Sequence, residues 1–198
     1  MISLRKKPVT LDIIIPIYNE EKIVERLFAK LSTVFSKKNL QKKNIKSVKY
    51  IVVDDGSNDS SANLILKKIE EKIPIKLLRL SRNFGHQNAV FAGLEHSKSE
   101  VTAVIDADLQ DPPELILEMI DKWRLGYDVI YAERKKRKEI FFKTFSYWLF
   151  YRILSFLSDV DIPKDSGDFS LMDKIVVSNI IKLPERLKYP RVMRAWVG

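Results

Sequence analysis

The chain predicts an open α/β fold, a mainly parallel sheet flanked by helices, and three observations carry that expectation. Short β-branched runs alternate with longer amphipathic segments through the first two thirds of the sequence, as strands joined by crossover helices do. Every apolar run ends in a cluster of polar, chemically capable residues. The 198 residues are 45% hydrophobic and 31% charged, which suits a single domain with a real core and excludes disorder or low complexity.

Strands are expected over residues 11–17, 48–53, 75–80, 101–105 and 129–131. Helices are expected over 20–35, 60–72, 87–97 and 113–124. In the first helix Ile23, Leu27 and Leu31 recur four apart, and Asn19 stands as an N-cap ahead of Glu20 and Glu21. Pro113 suits the first turn of the last. Residues 37–49, rich in lysine and free of glycine, read as a solvated connection.

Lys and Arg number 35 against 26 Asp and Glu, a net charge of +9, which points to nucleic acid, to an anionic membrane surface or to a phosphorylated substrate. With no cysteine and only His86 and His96, disulfide scaffolds, thiolate nucleophiles and Cys-ligated zinc are excluded, so any metal must be held mainly by oxygen. Residues 1–8 are basic, but the apolar run after them is short, contains Pro16 and ends in Asn19-Glu20-Glu21, which fits a buried strand better than an export signal. No window approaches the roughly 20 uncharged apolar residues of a membrane span. The nearest, 144–151, lies between Lys143 and Arg152, so no transmembrane helix is expected in this chain.

Open α/β sheets bind ligands at the carboxyl ends of their strands, which makes the polar strand ends the candidate site. After the fourth strand, Asp106 and Asp108 are separated by one residue, so in extended chain their carboxylates point the same way. That pair, with Gln110 two residues on, suits Mg²⁺ or Mn²⁺ completed by phosphate oxygens and water; taken alone it also fits a polar turn. Asp54-Asp55-Gly56-Ser57 offers carboxylates to a nucleobase edge or ribose hydroxyls, or, more simply, an Asx turn before the next helix. Neither the dinucleotide fingerprint nor the P-loop is present, so nucleotide phosphates would be held through metal.

Four motifs stand in order: Pro16-Ile-Tyr-Asn-Glu20, Val52-Val-Asp-Asp-Gly-Ser57, Ser81-Arg-Asn-Phe-Gly-His86 and Asp106-Ala-Asp-Leu-Gln-Asp-Pro-Pro113. Together they resemble the family 2 inverting glycosyltransferases of GT-A fold. Within these, Ser166-Gly-Asp-Phe-Ser-Leu-Met-Asp173 is similar to the polyprenyl-phosphate branch, which holds the dolichol-phosphate mannose synthases and bacterial undecaprenyl-phosphate glycosyltransferases. The resemblance implies a single GT-A catalytic domain over residues 1–198 and a UDP- or GDP-linked sugar as donor. The acceptor it implies is undecaprenyl or dolichyl phosphate; the alternative is a family 2 transferase acting on a saccharide or cell-wall polymer, which would need an aspartate near the acceptor as base.

It places Pro16, Tyr18, Glu20, Asp54, Asp55 and Asp106 around the nucleotide, and assigns Mg²⁺ or Mn²⁺ to Asp106, Asp108 and Gln110, with Asp108 and Gln110 as direct ligands. Asp108, Arg134 and Asp168 become the catalytic set, Arg134 facing a phosphate and Asp168 orienting a cation or a sugar hydroxyl on the acceptor side. His86 reads equally as an ordered loop residue or as a substrate contact, and His96 as a surface residue near a helix end.

Residues 140–158 hold five Phe, two Tyr and Trp148 and follow five consecutive cations from Arg134 to Lys138. They read as a core helix with a polar edge or as an interfacial helix. The resemblance favours the second, with residues 134–160 against an anionic surface on the cytoplasmic face of a membrane, peripheral or anchored by a further C-terminal segment. A nucleic-acid-binding module would need cations and aromatics on an open sheet, whereas these strand ends are acidic, so no nucleic-acid partner is expected.

Overall fold

The computed structural model describes residues 5–133, 166–185 and 188–197. Arg134, the cationic run after it and the aromatic stretch 140–158 lie outside the described residues. Six strands form one sheet: β1 (Val9–Ile17), β2 (Ile45–Asp54), β3 (Ile75–Arg79), β4 (Val101–Val104), β5 (Val129–Glu133) and β6 (Ser166–Asp173). Seven helices accompany them among the described residues: α1 (Val24–Val34), α2 (Lys37–Lys42), α3 (Ser61–Glu70), α4 (His86–His96), α5 (Leu115–Arg124), α6 (Lys174–Lys182) and α7 (Pro190–Val197).

The strand order is β3-β2-β1-β4-β6-β5. β1 pairs in parallel with β2 and β4, and β2 with β3; β6 alone runs the other way, antiparallel to both neighbours. The mixed but mainly parallel sheet agrees with the sequence expectation.

Helices cover both faces, and this is why β1 is apolar almost throughout. Ile13 and Ile15 pack on one side with Leu27 and Leu31 of α1 and Ile65 of α3. Ile14 packs on the other with Val90 and Leu94 of α4 and Val177 of α6. Each such aliphatic side chain contributes about 1.5–3 kcal/mol by leaving water. Asp173 ends β6 with two structural tasks: its Oδ1 accepts the Ile175 N–H at 2.8 Å as the N-cap of α6, and its Oδ2 accepts the Trp123 indole N–H at 2.8 Å.

Three details differ from the sequence reading. Residues 37–49 are not simply a connection: α2 occupies the first part with no buried residue, and β2 begins at Ile45. Ile45 and Val48 are buried while Lys46, Ser47 and Lys49 face water, so the lysines mask an edge-like extension paired with β1. Asn19 does not cap α1, which starts at Val24; Asn19 adopts φ 55° and its side-chain oxygen accepts the Asn58 N–H at 2.9 Å. Ser166–Asp173, read only as a motif, is a strand.

Gly93 lets α4 lie directly on β1, because a Cβ there would stand 2.4 Å from Ile14 Cγ2. Gly93→Ala should therefore destabilise the fold. Overpacking costs about 1–3 kcal/mol, and the better helix propensity offsets up to ~1 kcal/mol. The urea midpoint should fall with its slope unchanged; a higher midpoint would show that α4 is not clamped on β1 at this point.

Candidate active site

The carboxyl ends of β1, β2 and β4 open onto one cleft of about 460 Å³. β1 supplies Pro16, Tyr18 and Glu20, the β2 end Asp55, the β3–α4 loop Asn83, Gly85 and His86, and the β4 end Asp106 and Asp108. Asp168 completes the lining from β6. Its presence follows from the reversed strand: Val104 pairs with Ser170, so continuing that antiparallel register by two residues sets Asp168 across from Asp106.

Of the residues singled out in the sequence, the structure brings together Pro16, Tyr18, Glu20, Asp55, Asp106, Asp108 and Asp168. Asp54 is not at the cleft. It is fully buried, accepts the Ser57 N–H at 2.9 Å and pairs with Arg79 Nε at 3.0 Å, as a turn residue would. Gln110 is exposed and outside the lining, because Leu109 turns the chain through φ 60° and the Gln110 N–H folds back to Asp108 Oδ1 at 3.0 Å. His96 is exposed on the last turn of α4.

His86 has a definite place. Its Nε2 lies 3.3 Å from Asp168 Oδ2 and 3.6 Å from Asp106 Oδ1. The hydrogen bond with Asp168 raises the imidazole pKa above its ordinary value against the opposing effect of burial, and the Asp106 charge adds to the rise.

Asp168 also accepts a hydrogen bond from Gln87 Nε2 at 3.0 Å and meets Arg191 Nη2 at 3.4 Å. Burial alone would push this carboxyl up, but His86, Arg191 and Gln87 together bring it down to about 2. Beneath it, Arg194 donates to the Gly167 carbonyl at 2.7 Å and the Asp168 carbonyl at 3.3 Å, with its guanidinium 5.5 Å from the Tyr131 ring centroid. Burial lowers the Arg194 pKa to about 10, which leaves it a cation at neutral pH. Sequence reading missed Gln87, Arg191 and Arg194: the two arginines belong to a short, distant helix, and nothing local distinguishes them from solvated cations.

The side of the cleft that carries Glu20 and Asp106 has the opposite character. Burial, followed by the charges of Asp108 and Asp59, raises the Glu20 pKa. Asp106 is raised by burial and by Asp168, Asp108 and Asp111, with His86 opposing. Asp106 Oδ1 is buried without a hydrogen-bond partner. Crowded carboxylates with an orphaned oxygen fit a hard divalent cation. Among the described residues no three His, Asp or Glu side chains converge to cage one unaided, so a cation here would rely on one or two carboxylates plus ligand oxygens and water. Among the described residues, no helix is long and apolar enough to cross a membrane.

Comparison with known proteins gives a consistent picture. The model of "Glycosyl transferase family 2" matches residues 12–181. An uncharacterized glycosyltransferase of Bacillus subtilis, YkcC, is 43% identical over 187 residues, covering 94% of this chain and 56% of its own length. The bactoprenol glucosyl transferase of Shigella phage SfV is 34% identical over 191 residues, covering 95% of this chain and 60% of its own. This chain therefore spans less than two thirds of either relative. Among solved structures, a mannosyltransferase from Pyrobaculum calidifontis, in complex with GDP-Man and Mn²⁺, superposes with a TM-score of 0.61 at 15% identity, covering 98% of this chain and 53% of its own.

The Asp168 cluster makes stability depend on acid. A carboxyl whose folded pKa is about 2, below its unfolded value near 3.9, stabilises the fold above the unfolded value and loses that contribution as pH falls through the folded one. After allowance for solvent screening, the contribution is about 1–2 kcal/mol. Asp168→Asn should lower the melting temperature at pH 7 and flatten its decline between about pH 4 and 2. An equally steep decline in the variant would show that Asp168 is not the group being titrated.

Proposed function

Because the chain belongs to glycosyl transferase family 2, we propose that it transfers a sugar from a UDP- or GDP-linked donor to a polyprenyl phosphate, with inversion at the anomeric carbon. The architecture is that of the GT-A glycosyltransferases, and the proposal treats residues 1–198 as one catalytic domain of that type. The 34% identity to a bactoprenol glucosyl transferase supports the lipid-linked acceptor.

The observation that carries the acceptor class is the state of Asp168. Held as an anion with a pKa of about 2 by His86, Gln87 and Arg191, it is too weak a base to deprotonate a sugar hydroxyl. A phosphate acceptor is already ionised and needs no such base. What it needs is cationic company against the donor diphosphate. Arg191 stands beside Asp168, and Arg134 is assigned to the same task.

Pro16, Tyr18 and Glu20 would line the nucleotide, with Asp106 and Asp108 toward its phosphates. Mg²⁺ or Mn²⁺ bound by Asp106 and Asp108 would neutralise the charge that develops on the departing nucleoside diphosphate. Asp168 keeps His86 oriented at the junction of the two halves and favours its protonated form, and Arg194 fixes the backbone that carries Asp168. The basic, aromatic residues 134–160 are assigned to an anionic membrane surface on the cytoplasmic face, where a polyprenyl phosphate headgroup is presented.

Two measurements test this reading. In calorimetry, UDP or GDP should bind at least about tenfold more tightly with Mn²⁺ than with EDTA, a difference of about 1.4 kcal/mol, and Asp108→Ala should remove most of it. Equal affinity under both conditions would contradict the metal assignment. The purified chain should glycosylate a short polyprenyl phosphate and leave the corresponding neutral polyprenol unmodified; equal transfer to both would overturn the acceptor class.

A further inference from the structure

Among the described residues, three buried side-chain atoms have no hydrogen-bond partner: Gln87 Oε1, Asp106 Oδ1 and Arg191 Nε. All three belong to one junction, because Gln87 and Arg191 both meet Asp168, while Asp106 and Asp168 both meet His86. Buried polar atoms are nearly always paired, so orphans gathered at one place call for an explanation. The two oxygens call for a cation or a donor, and the Arg191 nitrogen calls for an acceptor.

The Nε–H of a guanidinium and one N–H of its Nη2 lie parallel along one edge, a fork that fits two oxygens of a carboxylate or a phosphate. Arg191 uses one corner of that edge. Its Nη2 approaches Asp168 Oδ2 at 3.4 Å, the longest of three contacts on this oxygen, since Gln87 Nε2 lies at 3.0 Å and His86 Nε2 at 3.3 Å. Those two donors, with Arg194 on the Gly167 and Asp168 carbonyls, hold Asp168 in a position that leaves the fork half filled. The Arg191 side chain is 39% exposed, so a ligand can reach it.

We propose that Arg191 is the docking fork for the phosphate of the acceptor: the phosphate takes Nε and Nη2 together, and Asp168 gives up Arg191 while keeping His86 and Gln87. The inference rests on the acceptor class proposed above and adds the residue, the edge that binds and the contact that is exchanged. Arg191 trades one anion for another, so the exchange leaves no charge unanswered. The donor diphosphate is assigned to Asp106 and Asp108 through a divalent cation. Burial, His86 and the neighbouring aspartates are the main influences on Asp106, whereas Arg191 acts on His86 and Asp168, which sets the fork apart from the metal side.

Geranyl phosphate, a monophosphate with a short prenyl chain, and geraniol, its neutral parent, test the assignment. In NMR spectra of the chain with isotope-labelled arginine, the Arg191 Nε–H signal is identified by its loss in Arg191→Lys. It should exchange with water at least about tenfold more slowly once geranyl phosphate is added, and geraniol or UDP with Mn²⁺ should leave it unchanged. Arg191→Lys keeps the charge and loses the fork, so its Kd for geranyl phosphate should rise about tenfold or more while its affinity for UDP or GDP with Mn²⁺ stays within about twofold. Geranyl phosphate that binds both chains alike without slowing the Nε–H would overturn the fork and leave the acceptor class standing. A signal slowed by UDP with Mn²⁺ and not by geranyl phosphate would overturn it in favour of the donor diphosphate. If geranyl phosphate binds no better than geraniol, the acceptor class fails and the fork with it. Should Arg191→Lys fail to fold, Arg191→Gln identifies the signal and the exchange rates of the unsubstituted chain decide.

Discussion

Carboxylates crowded at the rim of a sheet need cations in the same field, and the reversed strand β6 determines where those cations must be. Running antiparallel between β4 and β5, β6 carries Asp168 to the cleft beside Asp106 and leaves Asp173 at the opposite edge. The two aspartates have unlike work for that reason alone. Asp173 caps a helix and receives an indole N–H, whereas Asp168 gathers His86, Gln87 and Arg191. The cleft is thereby divided into an acidic half, where Glu20 and Asp106 are reluctant to ionise, and a half where an anion is stabilised. Under the proposed function, a reaction that brings a diphosphate and a second phosphate together would use that division, with a divalent metal answering the first half and fixed cations the second.

The rim is held in place by hydrogen bonds between loops. The Asn19 N–H reaches Ser57 Oγ at 2.9 Å, the Glu20 N–H reaches Ser61 Oγ at 2.8 Å, and Asp55 holds the loop after β3. Backbone in the left-handed region collects at the same places, at Asn19, Gly56, Gly85 and Leu109. Such conformations persist where surrounding contacts over-determine them, and they give a site whose groups are positioned before a ligand arrives.

Much of this was legible in the residues. Parallel strands covered on both faces must read as continuous apolar runs, so β1, β2 and β4 could be placed, and with them the strand ends that carry Glu20, Asp55, Asp106 and Asp108. β6 was harder, because Gly167, Asp168 and Ser170 depress strand propensity and its apolar residues are divided between two cores, Phe169 and Leu171 on one face and Met172 on the other. Asp54 and Asp55 could not be told apart before the turn was known: one side chain goes beneath the loop and its neighbour across to the next. The partners of Asp168 lay deeper still. Gln87 is 81 residues away and Arg191 is 23, and only the tertiary fold joins them.

The pairing of His86 with Asp168 is the point where the reversed strand, the α4 start and the C-terminal helix meet, and it can be observed directly. The chain has two histidines, so the imidazole signals of His86 can be assigned and followed by NMR as pH is raised. The titration midpoint of His86 should lie above 6.5, and Asp168→Asn should move it downward. A midpoint at or below 6.5, or one that does not respond to the substitution, would contradict the arrangement on which this account of the site is built.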